Sequence, residues 1–123
     1  MKSISAKFFN SSEFLYQAPY TFTNNRKYIP IPPSGTMLTV QKADPELFCD
    51  NSLGINFAGK VALINRGLCT FNTKIDLAYA AGASGVIIVN NQASSTTTLN
   101  YSGNSPIWYG MVPMNNNLYY WNK

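Results

Sequence analysis

The chain has 123 residues, of which 46% are hydrophobic and 11% are charged, and its formal net charge is +4. This length accommodates one domain and is too short for two, so we expect a single domain over residues 1–123. The composition excludes a disordered chain, and no apolar stretch approaches the ~20 residues of a membrane-spanning helix. The nine cations are scattered, whereas nucleic-acid-binding proteins concentrate theirs in a patch. We therefore expect that this chain neither binds nucleic acid nor inserts into a membrane.

The first part of the sequence predicts strands, because its closely spaced prolines exclude a central helix. Strands are expected at residues 4–9, 14–22 and 35–40. The second of these strands is expected to be interrupted at Pro19. The segment 42–50 is compatible with a single helical turn, with Asp44 as N-cap and Pro45 at the first helical position.

Residues 61–90 carry the clearest pattern in the chain. Two short segments, 61–65 and 86–90, are apolar at nearly every position, which indicates strands covered on both faces. Between them, apolar side chains recur near helical spacing. These are Phe71, Ile75, Ala78 and Ala81. A strand, a helix of about ten residues and a second strand predict a parallel βαβ unit with a right-handed crossover.

The helix has recognisable ends. Thr70 or Asn72 is placed to cap its start, and Gly82 stands where a left-handed residue ends a helix. A polar loop follows, and then a predicted strand at 106–112 and an aromatic tail. We therefore predict an α/β fold. In it a mostly β framework, an open barrel-like sheet, carries the parallel βαβ unit and one or two short helices.

The glycines around the helix do not form a phosphate-binding motif. Such motifs lie between a strand and the helix that follows it, so that the helix N-terminus faces the anion. Gly82 and Gly85 follow the helix instead, which favours a role for Gly82 as a cap. Only Gly67 lies at the entry to the helix.

No catalytic set can be assembled from the side chains. The chain contains no histidine, so it has no Ser-His-Asp or Cys-His pair, and two thiols cannot form a zinc site. Cys69 is either a reactive thiol near a helix N-terminus or the disulfide partner of Cys49, which is the simpler interpretation. The disulfide would close a loop of about twenty residues and would stabilise the folded chain by roughly 3 kcal/mol. Asp44, Glu46 and Asp50 are either a cluster for acid–base chemistry or an N-cap and two solvated carboxylates. The second interpretation is the simpler one. We expect no catalytic residue, metal or cofactor.

Two glycosylation sequons begin at Asn10 and Asn100, and the cysteines come as a pair, as in secreted proteins. Together they predict a glycoprotein of the secretory pathway, the vacuolar or lysosomal lumen, or the extracellular space. The alternative is that an Asn- and Ser-rich chain contains sequons by chance. The start of the sequence lacks the apolar region of a signal peptide. If the protein belongs to the secretory pathway, we therefore expect a mature or excised piece whose signal lies elsewhere.

Two motifs follow one another in the middle of the chain. They are "RGLCTFNTK" at residues 66–74 and "AYAAGASGVIIVNN" at residues 78–91. They resemble the protease-associated (PA) domain, whose pattern is approximately R-G-x-C-x-F-x-x-K, then A-x-x-A-G-A-x-G, a hydrophobic run and Asn. The preceding "GKVALI" at residues 59–64 and the upstream Cys49 also match this family.

This resemblance implies a non-catalytic module of a secretory-pathway, vacuolar or extracellular protein that binds protein or peptide segments for cargo or substrate recognition. The alternative is a regulatory lid or substrate-selecting domain of a subtilisin-like or zinc aminopeptidase, in which case the partner is a catalytic domain of the same parent chain. Loops near the Arg-Gly-x-Cys turn contribute to peptide capture in sorting-receptor relatives. By this resemblance Asn65, Arg66, Gly67 and Leu68 become candidate ligand-binding residues.

Aromatic residues near the end of the chain form a second candidate surface, because Trp and Tyr are enriched in binding hot spots. They are Trp108, Tyr109, Tyr119, Tyr120 and Trp121. A core or interdomain contact is the alternative for these rings. For Arg66 the alternatives are a solvent-facing side chain and one whose stem packs on the fold.

Overall fold

The structure is a computed structural model that describes the backbone of residues 2–8, 16–23, 37–91 and 101–112, and the side chains of residues 38–91 and 101–111. Six strands and one helix lie within these residues. They are β1 (Lys2–Phe8), β2 (Tyr16–Thr23), β3 (Met37–Lys42), β4 (Val61–Asn65), α1 (Phe71–Ala80), β5 (Gly85–Val89) and β6 (Trp108–Val112).

The strands pair in the order β1-β2-β6-β5-β4-β3. Four of them, β3, β4, β5 and β6, are parallel to one another, and α1 is the segment that connects β4 to β5. This parallel sheet with its helix confirms the predicted α/β class. The sequence-based prediction left the sheet open, but β3 also pairs with β1 and the sheet closes into a barrel. The two strands are far apart in the sequence, so no local sequence pattern predicts that they pair.

Pro19 does not interrupt its strand, contrary to the prediction. β2 continues through it, and Pro19 lies opposite Ser3 of β1. On its other side, β2 pairs with β6 over residues 21–23 within the described part of the chain. Proline is tolerated in a strand where no neighbour requires its missing N–H group.

The predicted helical turn at 42–50 is also absent. β3 extends to Lys42, and Phe48 N–H then donates to the Pro45 carbonyl at 3.0 Å, which closes a single reverse turn. Phe48 is fully buried, and its ring packs edge to face against Phe57 with centroids 5.6 Å apart. Burying this ring against the core takes the chain away from a helical path, while Asp44 remains exposed.

α1 begins and ends as its sequence predicts. The Thr70 hydroxyl accepts a hydrogen bond from the Thr73 N–H at 3.2 Å, and Gly82 has φ +87° after the last turn. Glycine adopts this left-handed conformation without steric penalty. Buried Ile75 and Ala78 face the sheet, and the small alanine side chain allows the helix to lie close to it.

The sheet is buried on both faces. Alternate residues Ala62, Ile64, Val86 and Ile88 belong to the cluster that packs under α1. The residues between them point to the opposite face, because side chains alternate along a strand, and these are buried inside the ring of strands. They include Val61, Leu63, Ile87 and Val89. This arrangement fixes the carboxyl ends of β4 and β5, where the candidate site begins.

Candidate ligand-binding site

The candidate residues Asn65, Arg66, Gly67 and Leu68 form one turn between β4 and α1, called here the 65–68 turn. Gly67 has φ +137°, and a Cβ there would lie 3.3 Å from Cδ2 of Leu47. Leu68 has φ +69° and a side chain that is 88% exposed. Two successive positive φ angles reverse the chain, so that Leu68 projects from the surface as the chain enters the helix.

Arg66 is bound to the fold. Its backbone N–H donates to the Val89 carbonyl at 2.9 Å, and its Nη1 donates to Oδ1 of buried Asn90 at 2.9 Å. Its guanidinium also lies over the Phe71 ring, with Cζ 5.7 Å from the centroid. Of the interpretations considered for this residue, the structure favours the one in which the side chain packs on the protein. The charge nonetheless stays partly exposed.

Asn65 is held from the opposite side of the turn. Its backbone N–H donates to the Glu46 carbonyl at 2.8 Å, and its Nδ2 donates to Oε2 of the same residue at 2.9 Å. The other carboxylate oxygen of Glu46 forms an ion pair of 2.7 Å with Lys42. Glu46 therefore joins the end of β3 to the end of β4, and its carboxylate is occupied by two partners.

A disulfide closes the turn. Cys49 and Cys69 are bonded, with Cα atoms 5.8 Å apart. Of the two interpretations for these cysteines, the structure contains the disulfide, so Cys69 is not a free thiol in this state. The bond fastens the segment before β4 to the residue that precedes the helix cap. The turn is thus held by covalent and hydrogen bonds on both sides.

Lys74 lies beneath this turn and was not predicted as part of the site. Its side chain is buried, its ammonium donates a hydrogen bond to the Leu47 carbonyl, and Nζ lies 3.8 Å from Sγ of Cys49. Desolvation lowers the pKa of Lys74 to about 8. Its place as the lysine of the R-G-x-C-x-F-x-x-K motif was the available signal, and Asn90 was likewise visible as the Asn after the hydrophobic run.

The aromatic candidates lie elsewhere. Trp108 and Tyr109 are on β6 and are 4% and 5% exposed, respectively. Trp108 covers the Cα of Gly85, and Tyr109 packs edge to face on Tyr101 with centroids 5.2 Å apart. The other members of that set, and the sequons, lie outside the described residues. They are Tyr119, Tyr120, Trp121, Asn10 and Asn100.

A shallow cavity of about 430 Å³ lies at the other end of α1. Its lining side chains are those of Asn51, Asn56, Ile55 and two alanines, none of which titrates.

Over residues 37–91 and 101–112, no three His, Cys, Asp or Glu side chains form a group that would hold a metal ion. Within the described part of the chain, no helix is long and apolar enough to cross a membrane.

Comparison with known proteins places these observations in a family. The PA domain family matches residues 16–116. The chain is 54% identical over 43 residues to an aminopeptidase of Pseudomonas aeruginosa, a match covering 34% of this chain and 8% of that protein. It is 53% identical over 38 residues to a PII-type proteinase of Lactococcus lactis subsp. cremoris, a match covering 31% of this chain and 2% of that protein.

Among solved structures, the chain is similar to BSAP, a zinc aminopeptidase from Bacillus subtilis. The sequence identity is 42%, the TM-score is 0.42, and the match covers 46% of this chain and 15% of that one. The chain therefore spans only a small part of the length of these relatives. Since the family match extends over most of the sequence, this chain belongs to the PA domain family.

Proposed function

We propose that this chain is a single, non-catalytic domain that binds protein or peptide segments through the 65–68 turn. The observation that carries the proposal is the exposure of Leu68, 88% of whose side chain is open to solvent on a turn fixed at both ends. An apolar side chain on a preformed turn binds a partner without the entropic cost of ordering a loop. The fixed turn, more than the exposed leucine alone, distinguishes this surface.

The groups around the turn support binding rather than chemistry. The Glu46 carboxylate is occupied by Lys42 and Asn65, and the Arg66 guanidinium donates to Asn90. Both cysteines are bonded to each other. General acid–base or nucleophilic catalysis needs a group free to exchange a proton or attack, and each of these groups is already engaged. Trp108 and Tyr109 are buried, so the proposed surface does not include them.

The parent protein is proposed to be a peptidase. This is supported by the relatives that carry matching segments, an aminopeptidase and a PII-type proteinase. In such a parent, the domain acts as a lid or substrate selector beside the catalytic domain. The disulfide supports an oxidising compartment, hence a secretory, vacuolar or extracellular location. Catalytic motifs in the flanking reading frame would support a peptidase, whereas their absence would leave an independent binding module.

Peptide binding is tested by comparing two exposed leucines. The chain is immobilised and exposed to a mixed peptide library, with wild type, Leu68→Asn and Leu53→Asn measured side by side. Leu53 is 62% exposed on a different loop and serves as the matched control. Asparagine tolerates the positive φ at position 68, so the fold is retained. We expect Leu68→Asn to reduce retained peptide at least several-fold, while Leu53→Asn binds like wild type.

Equal binding by all three proteins would remove the 65–68 turn from the proposal. Absence of binding by wild type would reject peptide recognition by the isolated domain. A separate assay with fluorescently labelled casein tests the non-catalytic part. Release of labelled fragments by the purified chain would contradict that part, whatever the outcome of the binding assay.

A further inference from the structure

Lys74 is a buried cation for which the described residues supply no charged partner. Its side chain is 0% exposed, and its ammonium contacts the backbone carbonyl of Leu47 and Sγ of Cys49. Among the residues that the structure describes, no carboxylate pairs with it. A charge withdrawn from water without a counter-charge is unfavourable. As long as the two sulfurs are bonded to each other, the described residues therefore offer the Lys74 ammonium no counter-charge.

Reduction of the disulfide would supply the missing charge. Once reduced, Cys49 ionises to a thiolate beside the Lys74 ammonium, and an opposite charge at this range favours the thiolate. Two carbonyl oxygens, of Leu47 and Gly67, lie 3.7 and 3.8 Å from the same sulfur and oppose ionisation. Their partial charges are weaker than a full ammonium charge, and the Leu47 carbonyl is already hydrogen-bonded to Lys74.

The two sulfurs differ in surroundings. Cys69 follows exposed Leu68 and precedes exposed Thr70. Among the described residues no side chain forms a hydrogen bond with its sulfur, whereas Nζ of Lys74 lies 3.8 Å from Sγ of Cys49. The start of α1 offers it about half a unit of positive charge, compared with the full charge of Lys74 beside Cys49. In thiol–disulfide exchange the sulfur with the lower thiol pKa leaves faster. Attack is therefore favoured on Cys69, with Cys49 as the leaving group.

We propose that the Cys49–Cys69 bond is a site of thiol–disulfide exchange with an external dithiol, at which Cys69 is attacked and Cys49 leaves as a thiolate paired with Lys74. One thiolate of the dithiol bonds to Sγ of Cys69, and the electron pair of the broken bond stays on Cys49. The second thiol of the dithiol then displaces Cys69 from the mixed disulfide. The dithiol is oxidised to a disulfide and gives up two electrons and two protons. The electrons pass to the two cysteine sulfurs, one proton stays on Cys69, and the other is released to solvent because Cys49 remains a thiolate beside the Lys74 ammonium. This exchange does not depend on peptide binding.

The first test locates the mixed disulfide in the wild-type chain. The oxidised protein is treated briefly with glutathione, quenched with acid, and each cysteine is identified by alkylation and peptide mass mapping. We expect glutathione on Cys69 and the alkylating label on Cys49, in at least several-fold excess over the reverse pattern. Equal amounts, or glutathione mainly on Cys49, would overturn the proposal.

The second test measures the thiol itself. In the Cys69→Ala chain, the rate of Cys49 alkylation by iodoacetamide is followed against pH, with Lys74 intact and with Lys74→Met. We expect a Cys49 pKa roughly 1 to 3 units below the ordinary thiol value that returns toward that value in Lys74→Met. Lys60→Met, at the other end of β4, is the control and should leave the Cys49 pKa low. An ordinary Cys49 pKa with Lys74 intact would contradict the proposal, even if it arose because the reduced chain unfolds. Circular dichroism shows whether each variant keeps its helix.

Discussion

The Arg66 guanidinium donates a hydrogen bond of 2.9 Å to Oδ1 of Asn90. This bond connects the residue after β4 to the residue after β5, at the edge of the sheet where the 65–68 turn begins. Asn90 is 1% exposed, and its oxygen also accepts the Asn91 N–H at 2.8 Å. The arginine of the family motif thus fastens two parallel strands together beneath the surface proposed for binding.

Arg66→Ala is therefore expected to destabilise the fold. It removes a charged donor from a buried acceptor, and such hydrogen bonds contribute about 1.5–3 kcal/mol. The midpoint of urea unfolding should fall accordingly. Lys42→Ala is the matched control, because it removes a cation from the more exposed ion pair with Glu46. Exposed pairs contribute about 0–1 kcal/mol, so equal losses in the two variants would contradict a structural role for Arg66.

Gly85→Ala is expected to disrupt the packing between β5 and β6. A Cβ at this position would lie 2.1 Å from Cζ2 of Trp108 and 2.2 Å from its Cε2. The indole is buried and the two residues are paired across the strands, so the ring cannot simply move into solvent. Overpacking of this kind costs about 1–3 kcal/mol, measured by urea unfolding followed by circular dichroism.

The cause is isolated by a double-mutant cycle with Trp108→Val. When the indole is absent, Gly85→Ala should cost much less than in the wild-type background, because neighbours in contact are not additive. Gly59→Asn, where no atom lies within 4 Å of the added Cβ, is the control for space. Its φ of +81° adds a backbone cost, which asparagine tolerates better than most residues, and this cost should be the same with and without the indole. Additive losses for Gly85→Ala and Trp108→Val would show that the ring is not the obstacle.

The local parts of this fold could be predicted from the sequence. The apolar runs of β4 and β5, the helical spacing from Phe71, and the cap at Thr70 each depend on neighbouring residues. The two cysteines also paired as the simpler interpretation suggested. These features are encoded within a few residues, so a single sequence is sufficient to read them.

The non-local parts could not be predicted. Closure of the sheet depends on β1 pairing with β3, and no short pattern specifies which distant strand becomes a neighbour. Trp108 is amphipathic and fits either a surface or a core, and only the close approach to Gly85 decides between them. Lys74 would ordinarily be assigned to solvent, because lysine is almost never fully buried.

Burial of Lys74 predicts an unusual pH dependence of stability in the oxidised chain. Desolvation lowers its pKa to about 8 from an ordinary value of 10.5. Between these values the unfolded chain holds a proton that the folded chain has lost, so the free energy of unfolding rises with pH. The slope is at most about 1.4 kcal/mol per pH unit for one proton. Below about pH 8 both states are protonated at this residue and its contribution is constant.

Urea unfolding of wild type and Lys74→Met, measured from about pH 7 to about pH 10, isolates this contribution. The difference between the two proteins should change across that range, since the variant lacks the titrating amine. Lys60→Met, which removes a partly exposed lysine, should retain the wild-type profile. Parallel profiles for wild type and Lys74→Met would show that the buried amine keeps its ordinary pKa.

Tyr101 and Asp76 form a polar clip between the loop before β6 and α1. The Tyr101 hydroxyl donates to Oδ1 of Asp76, and it accepts the Ser105 N–H at 2.8 Å. Ser105 Oγ donates to the same carboxylate oxygen at 2.8 Å. Tyr101→Phe keeps the ring that packs on Tyr109 but removes both bonds of the hydroxyl. We expect a loss of about 1 kcal/mol and faster hydrogen exchange at the Ser105 amide.

Asp76→Ala should produce a similar loss, because it removes the acceptor shared by the tyrosine and serine hydroxyls. The two changes act on one network, so the double variant should lose less than the sum of the single losses. Thr73→Ala, on the same helix but outside the clip, should leave exchange at Ser105 unchanged. Strict additivity of Tyr101→Phe and Asp76→Ala, or unchanged Ser105 exchange in Tyr101→Phe, would contradict the clip. The clip fastens the exposed side of α1 to the chain that leads into β6.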